Sequence, residues 1–214
     1  MAEKVGFVRE TIVYFEAPGQ QNTQDTLDLA LERARARGIK KVVIASTRGE
    51  TALLAAKVFA DTGIKLIVVP HQYGFLRDGQ RFPEELIPAL EKQGHRVYFG
   101  TMLFHTDDLY GSRVPSALAM VLRTFCQGMK VVCEILLMAT NGGCVAAGDK
   151  VIVIAGTGRG ADTAVVAIAA PSTRLHELHI TEIICKPLET QSWALTGGPS
   201  PSATEAKRTD TGKP

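Results

Sequence analysis

The stretch VVIASTRGETALLAAKVF, residues 42–59, changes character at its middle. Val42–Ala45 is a short β-branched run, the pattern of a buried strand, whereas apolar residues from Glu50 onward recur at helical spacing. Between them stand Ser46, Thr47, Arg48 and Gly49. Strand, short polar loop, helix is also the order before and after this stretch, and that alternation constrains the fold more than any other feature. A strand that returns to the same sheet in parallel must pass through a crossover, whose helix then covers a sheet face.

The alternation begins with a strand at Thr11–Phe15, the loop EAPGQQNTQ and a helix from Thr26 to Arg37, whose Leu27, Ala30, Leu31 and Ala34 share one face and whose stop is Gly38. After Val42–Ala45 comes a helix at Thr51–Phe59, then a strand in IKLIVVP. PEELIPALEKQG reads as a helix with a proline and two acids in its first turn, and HRVYFG as a fourth short strand. Pro115–Asn141 carries the pattern of two packed helices with a break at Gly128. The period then changes: KVIVIAG, ADTAVVAIA and ELHITEIICKP are short β-branched runs separated only by turns, so they are adjacent strands and the sheet is mixed. The expected fold class is α/β, three-layer α/β/α with a mostly parallel, mixed sheet, formed as one domain by residues 1–190. The small, polar and proline residues of 191–214 bury too little apolar area to offset the entropy of ordering them, and a disordered tail is expected there.

Hydrophobic residues make up 45% of the 214, enough for an ordinary core. Twenty-four Lys and Arg against twenty-two Asp and Glu leave a net charge of +2, too little for a surface that binds nucleic acid through its backbone. Cys126, Cys133, Cys144 and Cys185 form no CxxC pair and lie in apolar segments, which fits reduced core thiols. MAEKVGFVRETIVYF is no signal peptide, and Glu134 interrupts the most apolar helical stretch, so no membrane span and a cytoplasmic location are expected.

Ligands of open parallel sheets bind at the carboxyl ends of strands, where loops lead into helix N-termini. Ser46, Thr47, Arg48, Gly49 and Thr51 occupy such an end and offer hydroxyls, a cation and unpaired amides to an anion, phosphate being a good fit. A hydroxyl that caps the helix would look the same in sequence. The loop Gly156, Thr157, Gly158, Arg159, Gly160 with Asp162 and Thr163 is either a second ligand loop or a hairpin turn; its spacing is not GxGxxG, and no Walker sequence occurs. Asn22 and Thr23, before the first helix, are cap or ligand loop. His71, Tyr73 and Gly74 follow the third strand, where an imidazole and an aromatic could meet a planar ring. His105, Asp107 and Asp108 lack a partner at metal-ligand spacing, so no metal is expected. No nucleophile elbow or paired catalytic carboxylates can be read, and catalytic residues stay unassigned.

The opening stretch resembles the effector-site segment of the pyruvate kinase C-terminal domain, in which a Ser-Thr-x-Gly-x-Thr loop grips a phosphate; Ser46, Thr47, Gly49 and Thr51 match it. AAGDKVIVIAGTGRGADTAVVAI is similar to that domain's last hairpin. LRTFCQGMKVVCEILLMA, GTGRGADTA and EIICKP resemble stand-alone pyruvate kinase α/β-domain proteins of archaea and bacteria, over roughly Thr11–Pro187. Flavin mononucleotide (FMN) is associated with that group, and the resemblance implies FMN with its phosphate at Ser46–Thr51 and its ring near the glycine loop and His71–Gly74. GTMLFHTDDLYGS departs from the group's pattern. Pyruvate kinase activity is not implied, since it needs a separate barrel of about 250 residues. The expected partner is a phosphorylated small molecule, with FMN a cofactor and a flavoenzyme of unassigned substrate one outcome. A non-catalytic module binding a sugar phosphate or nucleotide is the other, and the apolar helices around Pro115–Ala139 leave surface for a homodimer.

Overall fold

A computed structural model describes residues 6–190 of the chain. The tail expected at 191–214 lies outside the described residues. Seven strands form one sheet in the order β1-β7-β6-β5-β2-β3-β4. These are β1 Val13–Phe15, β2 Lys41–Ala45, β3 Lys65–Val69, β4 Arg96–Val97, β5 Lys150–Ala155, β6 Thr163–Ile168 and β7 His179–Pro187. β6 pairs antiparallel with both β5 and β7, and every other pair is parallel, so the sheet is mixed as its sequence pattern requires.

The central strands are almost wholly apolar where they are buried, Thr163 of β6 being a polar exception, because both sheet faces are covered. On one face α1 (Thr23–Arg37), α2 (Glu50–Val58) and α3 (Leu86–Lys92) bury Leu27, Ala30, Ala52, Ala55 and Leu90 against Val42, Ile44, Leu66 and Val68. On the other, α6 (Gln127–Asn141) lays Met129, Val132, Leu136 and Ala139 on Val43, Ile67, Val153 and Val165. α5 (Val114–Arg123) packs outside α6, and the short α4 (Asp107–Tyr110) precedes it. Enclosed between sheet and α5, α6 has twelve of its fifteen residues buried, two of them the charged Lys130 and Glu134.

Three helix boundaries differ from the sequence pattern by more than one residue, the first being the start of α1, which lies at Thr23 and not at Thr26. α3 starts at Leu86, so Pro83 and the acids Glu84 and Glu85 form a turn ahead of it, not its first turn. Pro88 explains this: it has no N–H to donate, and a start at Leu86 places it among the first-turn positions that lack an acceptor anyway. The break in the long helical stretch lies between Thr124 and Cys126, not at Gly128. Cys126 caps α6 instead, its Sγ accepting from the Met129 N–H at 3.3 Å. Gly128 sits in the first turn of α6 because the helix crosses β6 closely there; a Cβ would lie 2.0 Å from Thr163 Oγ1. The cysteines are free thiols, and burial pushes Cys133 up to about 11 and Cys185 to about 12, which suits inert core groups.

Gly128→Ala should destabilise the fold by ~1–3 kcal/mol through overpacking against Thr163, read as a lowered urea midpoint. Cys126→Ser keeps a cap acceptor and should lose less than Cys126→Ala in the same titration. An unchanged midpoint for Gly128→Ala would remove the close-crossing account.

Candidate functional site

β5, β2 and β3 are parallel neighbours, so their carboxyl ends open at one edge of the sheet. From β2 the chain moves outward over one face through α2 to β3, whereas β5 on its other side is reached from α6 on the opposite face. That reversal leaves a crevice at the strand ends, the usual place for a ligand in such sheets. A cavity of about 550 Å³ occupies it.

Ser46, Thr47, Arg48 and Thr51 line one end of the cavity. Ser46 N–H still bonds Val69 O at 3.3 Å, extending the β2–β3 pairing into the loop, and Ser46 Oγ accepts from Ala52 N–H at 3.2 Å. Ser46 therefore does a cap's work on the third amide of α2, although Gly49 holds the N-cap position. The cap satisfies one α2 amide and leaves those of Glu50 and Thr51 without an acceptor among the described residues. The hydroxyls of Thr47 and Thr51 and the guanidinium of Arg48 also lack protein partners among the described residues. Capping and free donors thus coexist, since an α-helix has four N–H groups without intrahelical acceptors at its start. Gly49 does not line the cavity; its φ of 85° and the Leu86 side chain, 2.3 Å from where a Cβ would stand, require glycine.

Of the glycine loop, Gly156, Gly158, Arg159 and Gly160 line the cavity. Thr157, Asp162 and Thr163 lie behind it and build it. Asp162 Oδ2 accepts from the N–H groups of Gly19 and Thr157, both at 3.1 Å, and its Oδ1 from Thr163 Oγ1 at 2.8 Å. Burial pushes the Asp162 carboxyl up, against those hydrogen bonds. Asn22 and Thr23 do not line the cavity either. Asn22 donates to Ala17 O, and Thr23 Oγ1 accepts from Ala161 N–H at 3.0 Å while donating to Gln20 O, so the first loop buttresses the glycine loop. Arg159 reaches Glu50 at 3.4 Å across the mouth, an exposed pair.

His71 lines the cavity, edge-on to Phe75 with ring centroids 4.9 Å apart. Tyr73 and Gly74 are exposed away from it, Tyr73 tilting over Phe99. The segment that departs from the family pattern supplies a wall, through Met102, Phe104 and His105. Among the described residues no cluster of His, Cys, Asp and Glu can hold a metal. Asp107 instead accepts from Ser116 at the start of α5.

The opposite wall carries a group that the sequence pattern does not single out. Lys130 Nζ donates to Glu134 Oε2 and lies 2.9 Å from His105 Nε2. Glu134 Oε1 accepts from Phe104 N–H at 2.9 Å, which fixes the turn carrying His105. Lys130 and Glu134 are spaced i, i+4 on an otherwise apolar helix, and that spacing was the available signal. Burial pushes the Lys130 ammonium down; the charge and hydrogen bond of Glu134 oppose it and Arg123 adds to it. Around the cavity, Arg48, Arg81, Arg123, Lys130 and Arg159 face Glu50 and Glu134, a cationic balance that suits an anion.

This is an α/β domain with a crevice at the sheet's switch point. The family described as "Pyruvate kinase, alpha/beta domain" matches residues 24–167, about two thirds of the chain, and the chain belongs to that family. A pyruvate kinase from Cryptosporidium parvum is 16% identical over 63% of this chain and 20% of its own, with a TM-score of 0.37. That organism's pyruvate kinase in complex with ADP is 16% identical over 69% of this chain and 23% of its own, with a TM-score of 0.39. The chain thus spans about a fifth of those enzymes' length. Among the described residues no helix is long and apolar enough to cross a membrane.

His71 Nδ1 is buried without a hydrogen-bond partner among the described residues, and burial pushes the imidazole from its ordinary 6.5 down to about 4; Glu134 opposes this, while Lys130, His105 and Arg81 add to it. The unfolded chain takes up this proton near pH 6.5 and the folded chain near 4, so the contribution to stability is complete above about 6.5 and lost as pH falls toward 4. His95 and His105 are lowered too and act in the same direction. Urea unfolding between pH 6.5 and 4 should show stability falling with pH, more steeply in wild type than in His71→Gln; equal slopes would remove His71 from the account.

Proposed function

We propose that this chain binds a phosphorylated small molecule in the crevice between β2, β3 and β5, with its phosphate on the loop Ser46–Thr51. The observation that carries the reading is the free donor set at the start of α2: two amides without an acceptor among the described residues, the hydroxyls of Thr47 and Thr51, and the Arg48 guanidinium. Converging donors at a helix N-terminus are a favourable setting for a phosphate.

FMN is the ligand we favour, as in the stand-alone group that the sequence resembles. The residues present fit it. The cavity's volume suits a molecule of that size, and Val69, Phe75, Met102 and Phe104 give apolar walls for a planar ring. His71 and Gly156–Gly160 would flank the ring, and Arg48 with the α2 amides would hold the phosphate. Bound flavin would supply hydride-transfer capacity, and the protein would position it. Pyruvate kinase activity is not proposed for this chain. A second reading rests on the resemblance of Ser46–Thr51 to an effector-site loop: the crevice serves a sugar phosphate or nucleotide effector without chemistry. We place the protein in the cytoplasm, without nucleic-acid partners, and assign the exposed apolar face of α5 to a homodimer.

Purified protein should carry flavin absorbance or take up added FMN, with the copurifying mass identifying the ligand. At a hundredfold excess over Kd the ligand should raise stability by ~2.7 kcal/mol. Thr47→Val with Thr51→Val should raise Kd at least tenfold, ~1.4 kcal/mol, while the ligand-free melting temperature stays near wild type. Protein that is colourless and unmoved by FMN, yet stabilised by sugar phosphates, would replace the flavin reading with the effector reading. No response to any phosphorylated compound would remove both.

A further inference from the structure

Lys130 is a charged side chain with 2% of its surface exposed, and it lines the same cavity as the phosphate loop. An ammonium has three N–H donors. Two are engaged, by Glu134 Oε2 and His105 Nε2, and the third has no acceptor among the described residues. His105 Nε2 is the acceptor from Lys130, so its Nδ1 carries the ring proton in the neutral form. The Phe104 ring stands 5.5 Å from Nζ, and the neighbouring wall is apolar, with Met102 and Phe75. A lysine held in apolar surroundings beside an acid that can take its proton is the setting in which an amine becomes a nucleophile toward carbonyl carbon.

We propose that Lys130 is a carbonyl-reactive amine, and that the cavity takes phosphorylated aldehydes or ketones whose carbonyl carbon condenses with Nζ. The anchoring half of this inference rests on the reading of Ser46–Thr51 as a phosphate site; the reactive half rests on the Lys130, Glu134 and His105 cluster. Such a compound and FMN would compete for the loop.

The step balances without any further reagent. The ammonium proton passes to Glu134 Oε2, and the freed Nζ lone pair forms the N–C bond while the carbonyl π pair moves onto oxygen. A proton transferred from Nζ to that oxygen gives the neutral carbinolamine. Glu134 then returns its proton to the hydroxyl, which leaves as water as the nitrogen lone pair forms C=N. The product is a protonated imine beside a Glu134 carboxylate, with the net charge of the starting pair. The depressed ammonium of Lys130 lowers the cost of the first transfer.

Pyridoxal 5′-phosphate and pyridoxal, the same aldehyde with and without phosphate, are suitable probes. Each is incubated with the full-length protein, trapped with borohydride and located by peptide mapping. The expected result is one dominant label at Lys130, formed at least tenfold faster with the phosphorylated aldehyde and slowed by inorganic phosphate. Equal rates for the two aldehydes, with Lys130 still the dominant site, would keep the reactive amine and overturn its phosphate anchor. Label spread over surface lysines without preference for Lys130 would overturn the proposal. Stabilisation by FMN or sugar phosphate, measured separately by thermal shift, would in that case leave the phosphate-site reading standing. The mapping is done on wild-type protein, so it does not depend on a Lys130 variant folding; Lys130→Met with Glu134→Leu, which removes both charges together, should abolish the dominant label.

Discussion

The parallel pairing of β5, β2 and β3 is the constraint on which the site depends. It brings three strand ends to one edge, and with them the hydroxyl loop, His71 and the glycine loop. Those segments are far apart in sequence and have no local reason to meet. Burial of both sheet faces holds the register, because a one-residue slip would turn an apolar strand face out of its packing. The antiparallel β6 makes the arrangement complete: by returning directly from β5 it confines Gly156–Gly160 to a hairpin beside the end of β2.

A second layer of polar contacts fixes what the sheet brings together. Asp162 is fully buried and gathers the amides of Gly19 and Thr157, so the first loop and the glycine loop form one unit. A buried carboxylate in this position specifies geometry through its hydrogen bonds, and an apolar residue of the same size could not. Glu134 does the same on the opposite wall, where it joins Lys130 to the turn at Leu103–His105. The crevice therefore has a cationic, donor-rich end at α2 and a buried acid–base cluster on α6, with apolar wall between.

Much of the fold was legible because its signals are local. β-branched runs and helical periodicity mark all seven strands and the main helices, and the adjacent C-terminal strands announce a mixed sheet. The misplaced boundaries have nonlocal or competing causes. Gly128 looks like a helix breaker but is small because β6 crosses there, and Pro88 delays α3 past the acids that would otherwise open it. Within the site, Ser46–Thr51 was legible as a strand-to-helix loop. The supporting roles of Asn22, Thr23, Asp162 and Thr163 were not, because a residue that lines a ligand cavity and one that braces its wall share the same polar chemistry.

The amino-acid sequence alone determined the layers, the alternation of strand and helix, and a donor-rich loop at the end of β2, since each follows from side-chain pattern over a few neighbouring residues. Only the tertiary structure decided which loops face one another, that Tyr73 and Gly74 turn away while His71 stays, and that the buried pair Lys130 and Glu134 meets the more exposed His105. The physical reason is that i, i+4 spacing places Lys130 beside Glu134 on any helix, whereas desolvating the pair and adding His105 requires the sheet, α5 and the preceding turn to close around α6.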